Sequence, residues 1–423
     1  SMSLKEKVLA VVGLGYVGLP LAIEFGKKRD VIGFDVNPNR TGEVAEGYDR
    51  TGEVKPSDFK EAKHLEISNN PDNLSRASVY IVAVPTPVDK ANQPDMCLLA
   101  KACTTVSKYL VAGDVVIFES TVYPGATEEF CVPLLEAVSG LNAIFRDDQT
   151  SVAEGFYVGY SPERINPGDK ERRLTGIVKI VSGSTEKIAY AINELYADIV
   201  LAGTYLAPSI KVAEAAKVIE NAQRDLNIAF VNELAMIFAK LGIDTKQVLE
   251  AARTKWNFLD FRPGLVGGHC IGVDPYYLTF KAVMAGHHPR VLTVGRRVND
   301  EMPAFVANET VKTMVRNGIK INTARIGILG LTFKPNCPDI RNTKVADLIS
   351  ELEAWGCACI VHDPLVNAED AQNELGITLV GIEDFVKLDA VVKAVPHDCL
   401  SSFLEFQQES WGNQIAKGLW FEI

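Results

Sequence analysis

Val8-Leu-Ala-Val-Val-Gly-Leu-Gly-Tyr-Val-Gly18 determines the fold of this 423-residue chain. It opens with an apolar run long enough for one buried strand and continues at once as Gly-x-Gly-x-x-Gly. A helical pattern follows from Leu19 to Lys28, and the next apolar run, which starts at Val31, ends in Asp35. A Gly-x-Gly-x-x-Gly pattern alone is weak evidence. Between a strand and a helix, with an acidic residue about 20 positions on, it predicts a Rossmann dinucleotide-binding unit.

The residues of this unit each have a physical task. Gly13 permits a tight turn, Gly15 lets a pyrophosphate approach the helix N-terminus, and Gly18 allows the helix to pack closely on the strand. Asp35 would accept hydrogen bonds from a ribose 2′-hydroxyl and repel a 2′-phosphate, so NAD is favoured over NADP. Arg40 either reaches the adenosine end of the cofactor or lies solvated in a loop. The alternative to the whole reading is a merely structural glycine-rich turn.

Two later strands end in polar residues. Val79 to Val84 is stopped by Pro85-Thr-Pro87, and a strand ending at Phe118 leads to Thr121. Open α/β sheets bind ligands at the carboxyl ends of their strands. Thr86 and Thr121 could therefore contact cofactor or substrate, although both could equally be ordinary loop residues.

Strand and helix patterns continue to about residue 205. Tyr157 to Tyr160 is a short strand, and Glu163 follows it in a turn-rich segment. We therefore predict an NAD-binding Rossmann domain over residues 1–205.

The longest uninterrupted pattern is Ser209 to Leu241, which contains neither Gly nor Pro and ends before Gly242. About 33 residues at ~1.5 Å each give a helix near 50 Å long. It is apolar over much of its circumference, so we expect it to lie between domains and between the subunits of a homodimer. Lys217 and Asn221 are one turn apart on one face. They suggest an oxyanion clamp, and the alternative is a lysine that extends from the helix rim into water.

A single thiol follows in a glycine-rich segment. Gly267 and Gly268 can adopt backbone conformations closed to other residues and so bring Cys270 up to a ligand. Such a thiol is a candidate nucleophile, although a small buried hydrophobe is the commoner role of an intracellular cysteine. Asp274 lies four residues later, and Arg262 supplies a cation upstream.

A second α/β domain begins at Ala324-Arg-Ile-Gly-Ile-Leu-Gly330 and has further strands at Cys359 to His362 and Ala390 to Val395. It lacks Gly-x-Gly-x-x-Gly, so a second dinucleotide site is not expected. Lys334 and Arg341 could instead hold the phosphates of a substrate nucleotide. We predict a central helical and dimerisation region over residues 206–318 and a substrate domain over 319–423.

Composition excludes several classes of protein. A net charge of −11 argues against a nucleic-acid partner. No stretch reaches the ~18 apolar residues of a membrane span, and no signal peptide opens the chain. The eight cysteines form no Cys-x-x-Cys pair and the six histidines do not cluster with them. We therefore expect a cytoplasmic protein without a structural metal.

Taken together, the motifs resemble those of the nucleotide-sugar 6-dehydrogenases, which include UDP-glucose and GDP-mannose dehydrogenases, and they occur in the same order over nearly the whole chain. They are Gly13-Leu-Gly-Tyr-Val-Gly18, Val84-Pro-Thr-Pro-Val88, Glu119-Ser-Thr-Val122, Ser161-Pro-Glu-Arg-Ile-Asn-Pro-Gly-Asp169, Lys217 with Asn221, Gly267-Gly-His-Cys-Ile-Gly-Val-Asp274 and Thr332-Phe-Lys334. The loop from His269 to Tyr277, together with the runs Ile210 to Asn221 and Lys255 to Phe258, is similar to the branch that acts on UDP-N-acetylhexosamines.

The resemblance implies an α/β fold of two Rossmann-like domains joined by a long central helix that also forms the dimer. It further implies NAD-dependent four-electron oxidation of the C6 hydroxyl of UDP-GlcNAc or UDP-GalNAc to the uronic acid, for surface polysaccharide biosynthesis. UDP-glucose and GDP-mannose are the alternative substrates, and sequence does not choose between the two N-acetylhexosamines.

Residue roles follow from the same resemblance. Cys270 would add to the C6 aldehyde, and oxidation of the thiohemiacetal would give a thioester that water cleaves. The implied catalytic set is Cys270, Lys217, Asn221, Asp274, Glu163 and Thr121, of which Lys217 and Asn221 would stabilise oxyanion charge. Which of the other polar groups is the base is left open. The cofactor set is Gly13, Gly15, Tyr16, Val17, Gly18, Asp35, Arg40, Pro85, Thr86 and Thr121. The substrate set is Glu163, Arg164, Ile165, Lys217, Asn221, Arg262, Gly267, Phe333, Lys334 and Arg341.

The chain departs from the family pattern at two points. Arg262 is matched across gaps to an arginine that acts on the neighbouring subunit's site. Relatives continue beyond the strand at Phe421 with a basic substrate contact, so we expect either a truncated chain or another group in that role.

Overall fold

The structure is a computed structural model that describes residues 3–147, 154–166, 169, 171–268, 271–400 and 420–422. Cys270 and its neighbour His269 therefore lie outside the described residues. The chain divides into two units, Ser1–Glu220 with Tyr276–Gly286 and Asn221–Pro275 with His287–Ile423. The predicted three-part division at residues 205 and 318 stays a prediction.

A seven-stranded parallel sheet forms the centre of the first unit, in the order β3-β2-β1-β4-β5-β7-β6. Its strands are β1 (Leu9–Val12), β2 (Val31–Phe34), β3 (Leu65–Ser68), β4 (Val79–Val82), β5 (Val115–Phe118), β6 (Asn142–Ala143) and β7 (Gly155–Tyr160). The strand order reverses between β1 and β4, and this is the switch point at which open α/β sheets bind ligands. A separate parallel pair joins β8 (Lys179–Val181) to β9 (Thr204–Leu206).

Helices cover both faces of this sheet because its strands are apolar on both sides. Successive strand residues point to opposite faces, and β1 divides accordingly: Leu9 and Val11 belong to one buried cluster and Ala10 and Val12 to the other. The helices of the first unit are α1 (Gly18–Gly26), α2 (Pro38–Ala45), α3 (Pro56–Glu61), α4 (Cys97–Ser107), α5 (Val132–Ser139) and α6 (Glu186–Ala197). Continuous apolar strands of this kind are typical of parallel sheets buried on both faces.

The long helix predicted from the sequence is α7 (Ile210–Leu241), 32 residues in length. Ser209 caps it, since the Ser209 hydroxyl accepts a hydrogen bond from the Val212 amide at 3.2 Å. Gly242 follows with a φ of +68°, the left-handed conformation that commonly ends a helix. The prediction of one continuous helix is confirmed, and α7 runs from the first unit into the second.

The second unit contains a four-stranded parallel sheet in the order β11-β10-β12-β13. Its strands are β10 (Arg325–Leu329), β11 (Ala358–His362), β12 (Ala390–Lys393) and β13 (Trp420–Glu422). The remaining helices of the chain are α8 (Thr245–Ala252), α9 (Asp274–Met284), α10 (Arg290–Arg316), α11 (Val345–Ala354) and α12 (Ala368–Asp370), and most of α9 belongs to the first unit. Met302, Ala307 and Met314 of α10 pack into the core that covers one face of this sheet.

The α/β class and the two Rossmann-like sheets linked by a long helix are therefore confirmed. In the part of the chain that the structure describes, no helix is both long enough and apolar enough to cross a membrane. Within the same ranges, His, Cys, Asp and Glu side chains do not gather in threes that could hold a metal ion. The cytoplasmic location and the lack of a metal and of a nucleic-acid partner stay predictions.

Candidate active site and cofactor-binding turn

The glycine turn after β1 is shaped by contacts that exclude any side chain. Gly13 has a φ of +96°, and its amide donates to the Phe34 carbonyl at 2.8 Å. A Cβ built on Gly13 would lie 2.9 Å from the Ala83 carbonyl oxygen. At Gly18, the first residue of α1, it would lie 1.7 Å from the Gly13 carbonyl oxygen. The turn and the close approach predicted from the sequence are both present.

Gly15 differs from its two neighbours in the motif. A Cβ built there would have no atom of the described residues within 4 Å. Protein packing therefore does not require a glycine at this position, whereas a ligand lying against the backbone would. Helix α1 begins beside it with Val17 as N-cap and with no side-chain cap among the described residues. Amides at a helix start bind phosphate, so the turn fits a dinucleotide, with Tyr16 and Val17 half-buried in it.

Asp35 stands at the end of β2 and next to the glycine turn. One carboxylate oxygen accepts from the Leu14 amide at 2.9 Å and the other from the Asn37 amide at 2.9 Å. The residue is half-buried, so its carboxylate can also accept from a ribose hydroxyl. This placement is the one that the Rossmann motif predicts.

Arg40 requires a correction. It is 8% exposed and lies on α2, so the reading of a solvated loop arginine is wrong. Its Nε donates to the Leu14 carbonyl at 2.7 Å and a terminal nitrogen donates to Asp49 at 2.9 Å. Arg40 therefore stabilises the glycine turn by linking its Leu14 carbonyl to Asp49, because a planar guanidinium can bind a carbonyl and a carboxylate at once. Its contact with the cofactor stays a prediction.

The two threonines at the strand ends meet. Thr86 donates from its hydroxyl to the Thr121 carbonyl at 2.5 Å. Pro85 immediately precedes Thr86, and the Tyr277 hydroxyl contacts the Thr86 and Pro87 carbonyls at 2.8 and 2.9 Å. The sequence did not predict the role of Tyr277, which ties α9 to these loops within the first unit.

Glu163 is buried in the loop after β7, and a buried lysine holds that loop. Lys179 lies 2.6 Å from Glu119 and donates to the Ser161 and Pro162 carbonyls at 3.3 and 2.8 Å. Burial raises the pKa of Glu119, although Lys179 opposes the shift. Lys179 was not predicted from the sequence, where its one signal is a lysine within an apolar strand pattern.

The two residues after Glu163 are also fixed. Arg164 donates to the Val178 carbonyl at 2.8 Å and pairs with Glu220 at 2.9 Å. Ile165 is buried in the core on one face of the sheet. Their predicted contact with the substrate is not tested by these interactions.

Another residue that the sequence did not predict is Glu214, which holds the loop after Thr121. It accepts from the Gly125 amide at 3.0 Å, from the Thr127 amide at 3.0 Å and from the Thr127 hydroxyl at 3.1 Å. Burial raises the pKa of Glu214 to about 7, against the effect of these hydrogen bonds. On the sequence alone it is one of many polar residues in a long helix.

Lys217 is 4% exposed, which rules out the alternative of a lysine reaching into water. One turn further along α7, the Asn221 amide donates to Asp274 at 2.5 Å. Asp274 is 1% exposed and is the first residue of α9. The structure thus brings Asn221 and Asp274 together, as the family resemblance implies for one catalytic centre.

The glycine pair before Cys270 packs on the second α/β domain. A Cβ on Gly267 would lie 2.2 Å from the Asn342 carbonyl oxygen. Gly268 has a φ of +89°, and a Cβ there would lie 2.6 Å from the Phe333 ring. The Gly268 amide donates to the same Asn342 carbonyl at 3.2 Å. These glycines are therefore required by close contact with the segment that holds the predicted nucleotide-binding residues.

The basic residues predicted to bind the substrate outside α7 are more exposed than Lys217. Lys334 is half-buried, with its Nζ 5.7 Å from the centre of the Phe333 ring. Arg341 is exposed and its Nε donates to Asp339 at 3.0 Å. Arg262 lies 2.9 Å from Asp260. Their binding of substrate stays a prediction.

Comparison with known proteins extends this picture. Sequence models of the UDP-glucose/GDP-mannose dehydrogenase family match three consecutive parts: the NAD binding domain at residues 7–200, the central domain at 211–301 and the UDP binding domain at 327–419. A UDP-N-acetyl-D-glucosamine 6-dehydrogenase of Pseudomonas aeruginosa is 56% identical over 394 residues, 93% of this chain and 91% of that protein. One from Salmonella typhi is 53% identical over 392 residues, 93% and 90% respectively. The solved structure of UDP-D-ManNAc dehydrogenase from Pyrococcus horikoshii matches with a TM-score of 0.85 at 30% identity, over 98% of this chain and 94% of that one.

Proposed function

The chain belongs to the UDP-glucose/GDP-mannose dehydrogenase family, and we propose that it oxidises C6 of a UDP-N-acetylhexosamine to the carboxylate with NAD as acceptor. The observation that carries the choice of sugar is 56% identity to a UDP-N-acetyl-D-glucosamine 6-dehydrogenase over 93% of the chain. UDP-GlcNAc is therefore the expected substrate, and UDP-GalNAc is the nearest alternative.

Two features of the first unit support the cofactor. The Gly13–Gly18 turn has the shape of a dinucleotide cradle, and Asp35 lies where a ribose hydroxyl would be bound. NAD, when bound, supplies the hydride acceptor, and the two oxidations would consume two NAD molecules, one after the other. A carboxylate at this position repels a 2′-phosphate, which favours NAD over NADP.

The chain's own residues account for the rest of the chemistry. Cys270 would form a covalent bond to the aldehyde carbon, so that the second oxidation starts from a thiohemiacetal and ends in a thioester. Lys217 offers a buried ammonium, and Asn221 offers an amide N–H, to the oxygen of the substrate that becomes negatively charged. Both interactions are stronger in a site that contains little water. Asp274, held by Asn221 at 2.5 Å, is suited to receive a proton or orient the water that cleaves the thioester.

A homodimer through α7 is also part of the proposal. Val212, Ile219, Phe230, Ile237 and Leu241 are apolar residues of α7, each at least 44% exposed. At about 100° per residue they fall within about 40° around the helix axis. They form a straight, mainly apolar stripe along the 32-residue helix, with the exposed Gln223 in the same sector, and a second copy would bury this stripe.

The substrate is tested by measuring NADH formation from UDP-GlcNAc, UDP-GalNAc, UDP-glucose and GDP-mannose. We expect an N-acetylated UDP-sugar to react fastest and to yield two NADH per sugar. Failure with both N-acetylated sugars would refute the substrate, and one NADH per sugar would refute the two-stage mechanism. Cys270→Ser should form no uronate in the time the unmodified chain needs for full conversion.

The dimer is tested by sedimentation of Phe230→Glu against Tyr190→Glu, a matched change at an exposed aromatic residue on α6. We expect Phe230→Glu to sediment as a monomer and Tyr190→Glu as a dimer. A monomeric unmodified chain at micromolar concentration would contradict this part of the proposal.

A further inference from the structure

Gly264 lies in the connection between α8 and α9, six residues before Cys270, and one buried side chain holds both of its backbone groups. The Asn232 carbonyl oxygen accepts from the Gly264 amide at 2.9 Å, and its amide nitrogen donates to the Gly264 carbonyl at 3.0 Å. Asn232 lies on α7 and is 0% exposed. A paired contact of this kind fixes both the position and the direction of the backbone.

A second asparagine determines which way the Asn232 amide points. The Asn232 nitrogen also donates to the Asn299 side-chain oxygen at 2.8 Å. Asn299, on α10 and 0% exposed, uses its own nitrogen for the Asp225 carboxylate at 2.8 Å and the Asp225 carbonyl at 3.0 Å. Since its donors are committed to Asp225, its oxygen must face Asn232, and the oxygen of Asn232 must then face the Gly264 amide.

The chain of contacts ends in a buried ion pair. Arg296 of α10 lies 2.7 and 2.8 Å from the two carboxylate oxygens of Asp225. Asp225 is 1% exposed and Arg296 is 4% exposed. The two helices approach closely here: a Cβ built on Gly295 of α10 would lie 2.5 Å from the Leu226 side chain of α7. The ion pair therefore anchors a polar network in the rigid packing between α7 and α10.

The helix that holds Gly264 is also the helix that carries Asn221. Asn232 and Asn221 are three helical turns apart on α7, and Asn221 binds Asp274 at the other end of the loop. The segment from Gly264 to Asp274 is thus fastened to α7 at both ends. Between them, Gly267 and Gly268 pack on Asn342 and Phe333.

We propose that Asn232 is a positioning residue for the reaction: through its paired contact with Gly264, oriented by Asn299, it sets the path of the loop that carries Cys270. The proposal rests on the function proposed above. Asn232 touches neither cofactor nor sugar in this role, and it acts through the backbone that delivers the thiol.

The test uses full-length Asn232→Leu, which keeps the approximate side-chain shape and removes the hydrogen bonds. We expect kcat with UDP-GlcNAc and NAD to fall about tenfold or more, because small misplacements of a reacting group cost up to about 100-fold. KM for both substrates should stay within about twofold of the unmodified value. Asn308→Leu, at an exposed position on the same helix as Asn299, is the matched control and should leave both constants unchanged.

A second readout does not require turnover. Alkylation of Cys270 by iodoacetamide is followed by peptide mass spectrometry across a pH series, with exposed Cys97 as internal reference. We expect the Cys270 rate profile to change in Asn232→Leu while that of Cys97 does not. Asn299→Leu should shift the Cys270 profile in the same direction, and the double variant should lose little more kcat than Asn232→Leu alone, since both act through one contact.

The inference is overturned if folded Asn232→Leu keeps kcat and the Cys270 profile, or if its loss of activity only matches its loss of folded protein. If the unmodified chain yields no NADH from any sugar nucleotide, the proposed function fails. The alkylation profile then decides alone whether Asn232 positions the loop.

Discussion

The two sheets of the molecule begin with the same turn and use it differently. After β1, the Gly13 amide donates to the Phe34 carbonyl, and the Leu14 amide donates to Asp35. After β10, the Gly330 amide donates to the His362 carbonyl at 2.9 Å, and the Leu331 amide donates to Asp363 at 2.6 Å. Both glycines are left-handed, with φ of +96° and +89°. The backbone plan of a Rossmann unit therefore occurs twice.

The carboxylates that end the second strand of each sheet have different surroundings. Asp35 is half-buried and its oxygens meet backbone amides. Asp363 is 5% exposed, and the oxygen that accepts from Leu331 also lies 2.9 Å from Nε2 of His397, itself 0% exposed. His397 accepts from the Asn336 amide through its other ring nitrogen, at 2.9 Å. The aspartate at this position can accept from a ribose in the first domain, whereas in the second domain a protein side chain, His397, already occupies its carboxylate.

The segment between the turn and the next helix determines which ligand each domain can accept. In the first domain, Gly15 leaves the helix start open to a dinucleotide, and Gly18 lets the helix begin directly against the turn. In the second, Thr332 and Pro335 stand at the corresponding positions, and α11 begins only at Val345. The longer segment between turn and helix packs on Gly268 and carries Lys334. A shared backbone plan thus serves a cofactor in one domain and is proposed to serve a UDP-sugar in the other.

Gly18→Ala should have the greatest effect on the protein. The added Cβ would lie 1.7 Å from the Gly13 carbonyl, so we expect a loss of about 3 kcal/mol or more in the free energy of unfolding, measured by denaturant titration. Gly15→Ala is the matched control, since its Cβ meets no atom of the described residues within 4 Å. It should fold normally and bind NAD at least about tenfold more weakly by calorimetry. Unchanged NAD affinity would show that the cofactor does not lie against Gly15.

Asp363→Asn should have the next largest effect. One oxygen of Asp363 serves both the Leu331 amide and His397, and the other accepts from the Leu365 amide at 2.8 Å. An amide cannot accept at both positions, so the free energy of unfolding should fall by about 2 kcal/mol. Asp398→Asn, at the exposed neighbour of His397, should change it by less than about 0.5 kcal/mol. If the two changes lowered the free energy of unfolding equally, the buried hydrogen bonds of Asp363 would not be what distinguishes it from an exposed carboxylate.

Asp35→Asn should leave the fold nearly unchanged, because water reaches the half-buried side chain. We expect NAD affinity to fall about three- to tenfold and the preference for NAD over NADP to shrink, since the charge that repels a 2′-phosphate is removed. Titration with both cofactors measures this. An unaltered ratio of the two affinities would indicate that Asp35 does not contact the ribose.

The pH dependence of the stability that Asp363 contributes should be the weakest of these effects. Burial alone would raise the pKa of Asp363, but hydrogen bonds from His397 and the Leu331 amide outweigh it and hold the pKa below its ordinary 3.8. A carboxyl with a lowered folded-state pKa stabilises the fold above the unfolded-state value and loses that contribution as pH falls through the folded-state value. The stability difference between the unmodified chain and Asp363→Asn should therefore be constant from pH 5 to 7 and shrink in more acidic solution. A difference that grows on acidification would contradict the assignment.

Features that depend on local pattern could be predicted from the sequence. Apolar runs, the glycine spacing and the acid at Asp35 predicted the first Rossmann unit. The absence of Gly and Pro between Ser209 and Leu241 predicted one helix, which the structure confirms. These predictions succeed because strand period, helix period and left-handed turns are properties of a few neighbouring residues.

The polar residues that are buried, and the groups they hold, could be identified only in the folded chain. The sequence allowed Arg40 to contact the adenosine end of the cofactor or to lie solvated in a loop, and the folded chain buries it against the Leu14 carbonyl. Lys179 and Glu119, like Asn232 and Gly264, meet across separations of 60 and 32 residues. Such pairs form because packed helices and strands bring distant positions together, and a buried polar group must then find a partner there. A local pattern fixes the secondary structure of each residue but not which residue will face it, and that is why the polar networks became visible only in the tertiary structure.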